Sequence, residues 1–149
     1  MFRSILCPVD FSPHSEQALR IAIDLAAATR GHLTIVTVVD SLLEAATEAA
    51  GSRETLYAQT QQEIQDLLGR VTAGRGRPSE RLGIAVVVGD PPEEILKQVE
   101  ECEADLIVMG TQGLEGPKRL VFGSTTERVL RESRVPVLAV PVPPAKSNE

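Results

Sequence analysis

Aromatic side chains are scarce in this sequence of 149 residues, and tryptophan is absent. Aromatic residues make up 3% of the chain whereas 42% of its residues are hydrophobic, so the core must be built from valine, isoleucine, leucine and alanine. These side chains are typical of buried parallel strands covered by alanine-rich helices. The composition therefore favours an α/β protein.

Cysteine is also rare. The two thiols, Cys7 and Cys102, are far apart in sequence, form no C-x-x-C motif and lie in apolar segments. We expect two reduced, largely buried thiols without a redox or nucleophilic role.

Positive charge and long apolar runs are both lacking. The formal net charge is −6 and the pI is about 5.0, which argues against a nucleic acid partner because such binding depends on clustered lysine and arginine. No apolar run approaches the ~18 residues that span a bilayer, and the N-terminus predicts a strand and not a signal peptide. We expect a soluble, cytoplasmic protein with no membrane partner.

The chain has the common length of one domain and can bury one apolar core without metals or disulfides. We predict a single domain over residues 1–142, followed by a disordered tail at 143–149. No internal repeat is evident.

Short apolar segments alternate with helical patterns along this domain. Strands are predicted at residues 3–9, 33–39, 82–88, 104–109 and 136–142. Helices are predicted from Ser12-Pro13 to Arg30-Gly31, over 53–71, from Asp90-Pro91 onward and over 123–133, whereas 40–52 has no firm periodicity. This alternation predicts a doubly wound, mostly parallel sheet with helices on both faces.

One glycine-punctuated segment follows the fourth predicted strand. Two residues separate Gly110 from Gly113, and nine more separate Gly113 from Gly123, which opens the last helix together with three hydroxyl residues, Ser124, Thr125 and Thr126. Glycines allow close approach of the backbone to a ligand, and a helix start offers unpaired N–H groups to a phosphate. The alternative is that these glycines only form a turn and start a helix.

Other familiar nucleotide motifs are missing. The chain has neither the Walker A motif G-x4-G-K-[ST] nor a G-x-G-x-x-G after its first strand, which excludes a motor ATPase and a dinucleotide dehydrogenase. Asp10 either contacts a ligand or caps the first helix. His14 and His32 have no metal-ligand or catalytic spacing, and we expect both on the surface.

The unbroken pattern G-x2-G-x9-G-[ST] resembles that of the ATP-binding branch of the universal stress protein family. The flanking segments DLIVMG at 105–110 and VPVLAV at 135–140, the first-strand ending PVDFS and the segment VVGDP extend the resemblance over the whole domain. The family's fold has five parallel strands in the order 3-2-1-4-5 and is similar to the Rossmann and adenine nucleotide alpha hydrolase folds.

The resemblance implies a site for ATP, with Mg²⁺ carried by the phosphates. Asp10 and Val38 would hold the ribose and adenine, with Pro8 and Val9 nearby. Met109 and Gly110 would flank the ribose and α-phosphate. The phosphates would be held by Gly113, Gly123, Ser124, Thr125 and Thr126.

The chain departs from the family pattern after the second glycine, where it has Leu114 and the acidic Glu115. A carboxylate there would weaken phosphate binding if it pointed inward, and Lys118 or Arg119 would compensate if they faced the ligand. No catalytic base is evident, so we expect no catalytic residues and at most slow turnover.

Two functions of different classes follow. The first is a nucleotide-dependent regulatory module of a stress response, read by an unknown protein partner. The second is a slow ATPase or self-phosphorylating enzyme that uses the same site. The sequence argues against a phospho-receiver, because residues 135–142 around the fifth strand contain no lysine. The resemblance and the apolar last strand also predict a homodimer through the fifth strand.

Overall fold

A computed structural model describes residues 2–49, 51, 53–74, 81–112 and 122–142 of the chain. Gly113, the segment around Glu115 and the tail from residue 143 lie outside the described residues, and the predictions made for them stay predictions. The elements run in the order β1 (Ser4–Pro8), α1 (Pro13–Thr29), β2 (His32–Asp40), α2 (Ser41–Ala49), α3 (Arg53–Thr72), β3 (Leu82–Gly89), α4 (Pro91–Glu101), β4 (Leu106–Gly110), α5 (Ser124–Glu132) and β5 (Val137–Val140).

The strands form one five-stranded sheet in the order β3-β2-β1-β4-β5, and the pairs are parallel. This confirms the predicted fold class and strand order. The order reverses at β1, because the chain proceeds outward from β1 to β3 on one side and then crosses to β4 on the other. Ligands of such sheets bind at the carboxyl ends of the strands beside this switch point.

Successive residues of the central strands enter two different cores. Ile5 and Cys7 of β1 belong to a cluster that α1 and α3 cover, whereas Leu6 faces a cluster covered by α4 and α5. Because side chains alternate across a strand, both faces of β1 are apolar and buried. The helices therefore lie on both faces of the sheet, as predicted.

The segment at 40–52, for which the sequence gives no clear periodicity, contains the helix α2 directly after β2. Elsewhere the element boundaries move by one or two residues: Gly110 closes β4, and β5 is shorter than the predicted strand. The stop of α1 also differs in detail, since Arg30 and not Gly31 adopts the left-handed conformation, at φ 55°. Gly31 instead meets the Phe2 carbonyl, which lies 2.8 Å from the place of a Cβ atom.

Candidate functional site

A cavity of about 430 Å³ opens at the carboxyl ends of the central strands. This is within the range of small-molecule sites, about 300–1,000 Å³. Its lining residues come from β1, β2, β4 and the starts of α1, α4 and α5, and they are Pro8, Val9, Asp10, Ser15, Val36, Val38, Pro91, Ile95, Met109, Gly110, Gln112, Gly123, Ser124, Thr125 and Thr126. All of the predicted site residues except Gly113, which lies outside the described residues, therefore meet around one cavity.

One wall of the cavity is apolar. Val36 and Val38 alternate along β2 and face the same side, where Ile95 of α4 and Met109 of β4 join them. Val36, Ile95 and Met109 are almost fully buried in the protein. Such a wall suits a flat, weakly polar ring.

Asp10 lies at the mouth of the cavity, in the turn that follows β1. Its Oδ1 accepts the Ser12 backbone N–H at 3.0 Å, and its own N–H donates to the Ser15 hydroxyl at 3.3 Å. Ser12, and not Asp10, caps α1, because the Ser12 hydroxyl accepts the Ser15 N–H at 3.2 Å. Asp10 is exposed and has one carboxylate oxygen directed into this turn, so its role is not that of the helix cap.

Phe11 makes this turn tight. Its φ of 65° is in the left-handed region, where a bulky residue is strained. Its ring packs against the core beneath α1, which anchors the strained backbone. The backbone of the turn is therefore fixed, and it holds the Asp10 side chain at the mouth of the cavity.

The start of α5 forms another part of the cavity wall. Gly123 is the N-cap residue and makes no side-chain cap hydrogen bond. The first N–H groups of a helix have no intrahelical partner, and the positive end of the helix dipole lies there. Ser124 is exposed and Thr125 is half-buried, so hydroxyl and amide donors converge on the cavity. This arrangement can bind an anion.

Thr126 differs from the other two hydroxyl residues. It is buried, and its Oγ1 donates to the Gly110 carbonyl at 2.8 Å. Its proton is therefore engaged in joining α5 to the end of β4. Ser124 and Thr125 are the better placed hydroxyl donors for a ligand.

Gly110 has a packing role that its place in the motif does not reveal. A Cβ atom at this position would lie 2.7 Å from the His14 Cβ and 2.8 Å from the His14 carbonyl carbon. The absence of a side chain thus allows α1 to approach the end of β4. His14 is half-buried, in contrast to the exposed position expected for it, and its Nδ1 lies 3.0 Å from the Thr111 Oγ1.

The next residue, Thr111, closes the base of the loop that leads to α5. Its carbonyl accepts the Gly123 N–H at 2.9 Å, and its own N–H donates to the Val140 carbonyl at 3.1 Å. Because the two ends of the loop are joined by this bond, Gly110 and Gly123 stay on the same side of the cavity. The number of residues between the glycines of the motif is thus set by a loop whose two ends are hydrogen-bonded to each other.

Several lining residues were not identified from the sequence: Ser15, Val36, Pro91, Ile95 and Gln112. Two of them had a usable signal. Val36 is two residues before Val38 on the same face of a strand, and Gln112 lies inside the glycine pattern. Pro91 and Ile95 belong to a helix, α4, whose position against β1, β2 and β3 depends on the tertiary fold.

The start of α4 is joined to α5 by an ion-pair network. The Arg128 guanidinium contacts the carboxylates of Asp90 at 3.1 Å, Glu93 at 3.5 Å and Glu132 at 2.7 Å. The Glu132 hydrogen bond, followed by the charges of the partners, raises the pKa of Arg128. Pro91, which directly follows Asp90, lines the cavity, so this network lies beside the site.

Other reactive groups lie apart from the site. Burial raises the pKa of the fully buried Cys7 thiol, and desolvation also raises that of Cys102. Within the described parts of the chain, no three histidine, cysteine or acidic side chains are grouped to hold a metal ion. The same parts contain no helix that is both long and apolar enough to cross a membrane.

Known proteins are similar to this chain over nearly its whole length. The universal stress protein family model matches residues 1–141. Universal stress protein MJ0531 of Methanocaldococcus jannaschii is 32% identical over 96% of this chain and 84% of its own length. Universal stress protein MJ0577 of the same organism is 29% identical over 94% of this chain and 95% of its own.

Solved structures of universal stress proteins have the same fold as this chain. The structure of MJ0577 superposes with a TM-score of 0.79 at 26% identity, covering 97% of this chain and 99% of that one. A universal stress protein in complex with cAMP gives a TM-score of 0.69 at 25% identity, covering 95% and 98% of the two chains. The family match over nearly the whole chain, with the same fold in these structures, shows that this chain belongs to the universal stress protein family.

Proposed function

We propose that this chain binds ATP, with Mg²⁺ carried by the phosphates, and acts as a nucleotide-dependent regulatory module of a stress response. One observation carries the proposal: a single cavity joins an apolar wall, the Asp10 carboxylate and the uncapped start of α5. These three features suit the ring, the sugar and the phosphates of a nucleotide, respectively.

The adenine would lie against Val38 and the neighbouring apolar wall, and Asp10 would accept hydrogen bonds from the ribose hydroxyls. Met109 and Gly110 would flank the ribose and α-phosphate at the end of β4. The phosphates would meet the amides that start α5 and the hydroxyls of Ser124 and Thr125, with Gly113 approaching from the loop. Gly123 would allow this approach because it has no side chain.

The groups that line the cavity favour the binding of ATP and give little support to its hydrolysis. Asp10 is the one carboxylate among the described lining residues and belongs to the turn after β1, and the sequence has no P-loop lysine. Groups that bind ground and transition states alike raise affinity without raising the rate. We expect turnover well below the ~1 per second at the slow end of kinases. ATP occupancy would then alter the loop between Gly113 and Gly123, which a protein partner reads.

The alternative is a slow ATPase or a self-phosphorylating enzyme, with Ser124 or Thr125 as the acceptor. A steady-state assay on protein freed of contaminating ATPases separates the two functions. Turnover above ~1 per second that is lost in Ser124→Ala would establish the enzyme. Slow release of product unaffected by that change supports the regulatory module.

The first test is mass spectrometry of the gently purified protein, native and then denatured, which identifies any retained nucleotide. Calorimetry with Mg-ATP and with cAMP follows, since a relative forms a cAMP complex. Gly123→Val should abolish ATP binding, because the φ of −63° tolerates valine while the side chain fills the place of a phosphate. Gly69→Val is the control, since a Cβ at Gly69 meets no atom within 4 Å. Equal ATP affinity in wild type and Gly123→Val would overturn the proposal.

We further propose a cytoplasmic homodimer that forms through β5, the last strand of the sheet. Leu138 of this strand is 40% exposed, and Val137 is only partly buried. An apolar edge invites pairing with a second copy, although Pro141 lacks the N–H for a continued ladder. Light scattering at micromolar concentration that gives a monomeric mass would contradict the dimer, and cell fractionation tests the location.

A further inference from the structure

Arg128 is one helical turn after Ser124, at the edge of the cavity and outside its lining. It contacts two carboxylates of α4, Asp90 and Glu93, and one of its own helix, Glu132. Three carboxylates therefore share one guanidinium beside the proposed phosphate site. The network joins two neighbouring helices, α4 and α5, whose first residues line the cavity.

Asp90 is unusual within this network. It is the N-cap residue of α4, yet its side chain makes no cap hydrogen bond, and its Oδ2 instead accepts from Arg128 Nη1 at 3.1 Å. Asp90 is followed by Pro91, which lines the cavity, so its negative charge lies beside the cavity. Asp90 therefore directs its carboxylate to Arg128 and not to the start of its own helix.

The other charged groups around this network have partners of their own. Glu94 pairs with Lys97 at 3.2 Å, and Glu127 pairs with Arg131 at 3.0 Å. Arg128 is thus the cation that contacts Asp90 and Glu93 among the described ion pairs. Its removal would leave Asp90 and Glu93, together with Glu132, without this partner beside an anion.

We propose that Arg128 is a positioning residue that sets the affinity for polyphosphate by neutralising Asp90 and Glu93 beside the cavity. The inference rests on the proposed nucleotide binding and adds to it a residue outside the glycine motif. Arg128 acts on the ligand through the field of these carboxylates and not by contact. The effect must then grow with the charge of the ligand.

Calorimetry with Mg-ATP and with adenosine tests this directly. Arg128→Gln should weaken Mg-ATP binding on the order of fivefold, as expected for a unit charge within about one Debye length, and leave adenosine affinity unchanged. Arg131→Gln is the matched control: it removes the same charge from the same helix but breaks only the pair with Glu127, and should change neither affinity. Melting by circular dichroism shows that each variant is folded.

Two further variants test the role of the carboxylates themselves. Adding Asp90→Asn and Glu93→Gln to Arg128→Gln should restore Mg-ATP affinity, because the uncompensated charges are gone. Glu93→Gln alone should tighten Mg-ATP binding a few-fold in the otherwise unchanged protein.

The outcomes separate the two proposals. Equal losses for Mg-ATP and adenosine in Arg128→Gln, unchanged Mg-ATP affinity, or no restoration in the triple variant would each overturn the role of Arg128 alone. A wild-type protein that binds neither ligand would overturn the proposed function and this inference together.

Discussion

The turn after β1 and the start of α5 form two sides of one cavity, yet they are built in contrasting ways. In the turn, the backbone and side chains of Asp10, Ser12 and Ser15 satisfy one another through four hydrogen bonds. At α5, Gly123 offers no cap, and the helix begins with donors that face the cavity. The turn satisfies its own polar groups, whereas the start of α5 has backbone N–H groups without a side-chain cap, which can bind water or an anion.

This contrast predicts how substitutions in the turn after β1 and at the start of α5 will differ in their effects. Substitutions in the turn should act on stability through its internal bonds. Substitutions among the first residues of α5 should act mainly on binding. The residues that join the two sides, Gly110 and Thr126, should affect both.

The largest effect on stability is expected for Gly110→Ala. The new Cβ would meet His14 at 2.7 Å and force α1 away from β4, which should lower the free energy of unfolding by about 3 kcal/mol. Urea denaturation measures this, with Gly69→Ala as the control. A Cβ at Gly69 meets nothing within 4 Å, so that control should gain roughly 1 kcal/mol from helix propensity. A fully stable Gly110→Ala would show that the two sides are not joined by this packing.

The next effect is expected for Thr126→Val, which keeps the shape but removes the hydroxyl that donates to Gly110. The lost buried hydrogen bond should reduce the free energy of unfolding by about 1–2 kcal/mol. Thr125→Val tests the other half of the comparison: it should leave stability unchanged and weaken ATP binding. Equal stability losses in the two variants would contradict the distinction between a joining and a binding hydroxyl.

A direct comparison of the two helix starts uses the same change at each. Ser12→Ala removes the cap of α1 and should lower the unfolding free energy by about 1 kcal/mol. Ser124→Ala, at the start of α5, removes no cap bond and should stay within ~0.5 kcal/mol of wild type. Thermal melting of both variants decides whether the two starts differ as described.

Much of this architecture was predictable, because it depends on local signals. The five strands follow from short apolar segments with turn residues between them, and the start of α1 follows from the cap and proline at Ser12-Pro13. The strand order was predicted through the family resemblance, since the spacing of segments alone does not say which strands are neighbours. That prediction is confirmed.

What could not be predicted depends on contacts between distant residues. Arg128 and Asp90 are 38 positions apart, and nothing in either segment indicates that they pair. The role of Gly110 was similarly hidden, since a glycine that admits a ligand and one that admits a helix look alike in sequence. The left-handed Phe11 has no sequence signal either, because its strain is borne by the packing of its ring.

A small effect on stability, and the sharpest test of the comparison, is expected for Asp10→Asn. The amide oxygen can still accept the Ser12 N–H, so the turn should survive and the unfolding free energy should change by less than ~0.5 kcal/mol. The loss of charge removes the strong acceptor proposed for the ribose, which should weaken ATP binding about tenfold.

Asp40→Asn is the matched control for this change. Asp40 likewise accepts the N–H two residues ahead, that of Leu42, at 2.8 Å, but it does not line the cavity. Calorimetry should therefore show unchanged ATP affinity in Asp40→Asn. If Asp10→Asn binds ATP like wild type, Asp10 serves the turn alone. If instead it loses more than about 1 kcal/mol of stability, its charge supports the start of α1 through the helix dipole, and the turn is less self-contained than its hydrogen bonds indicate.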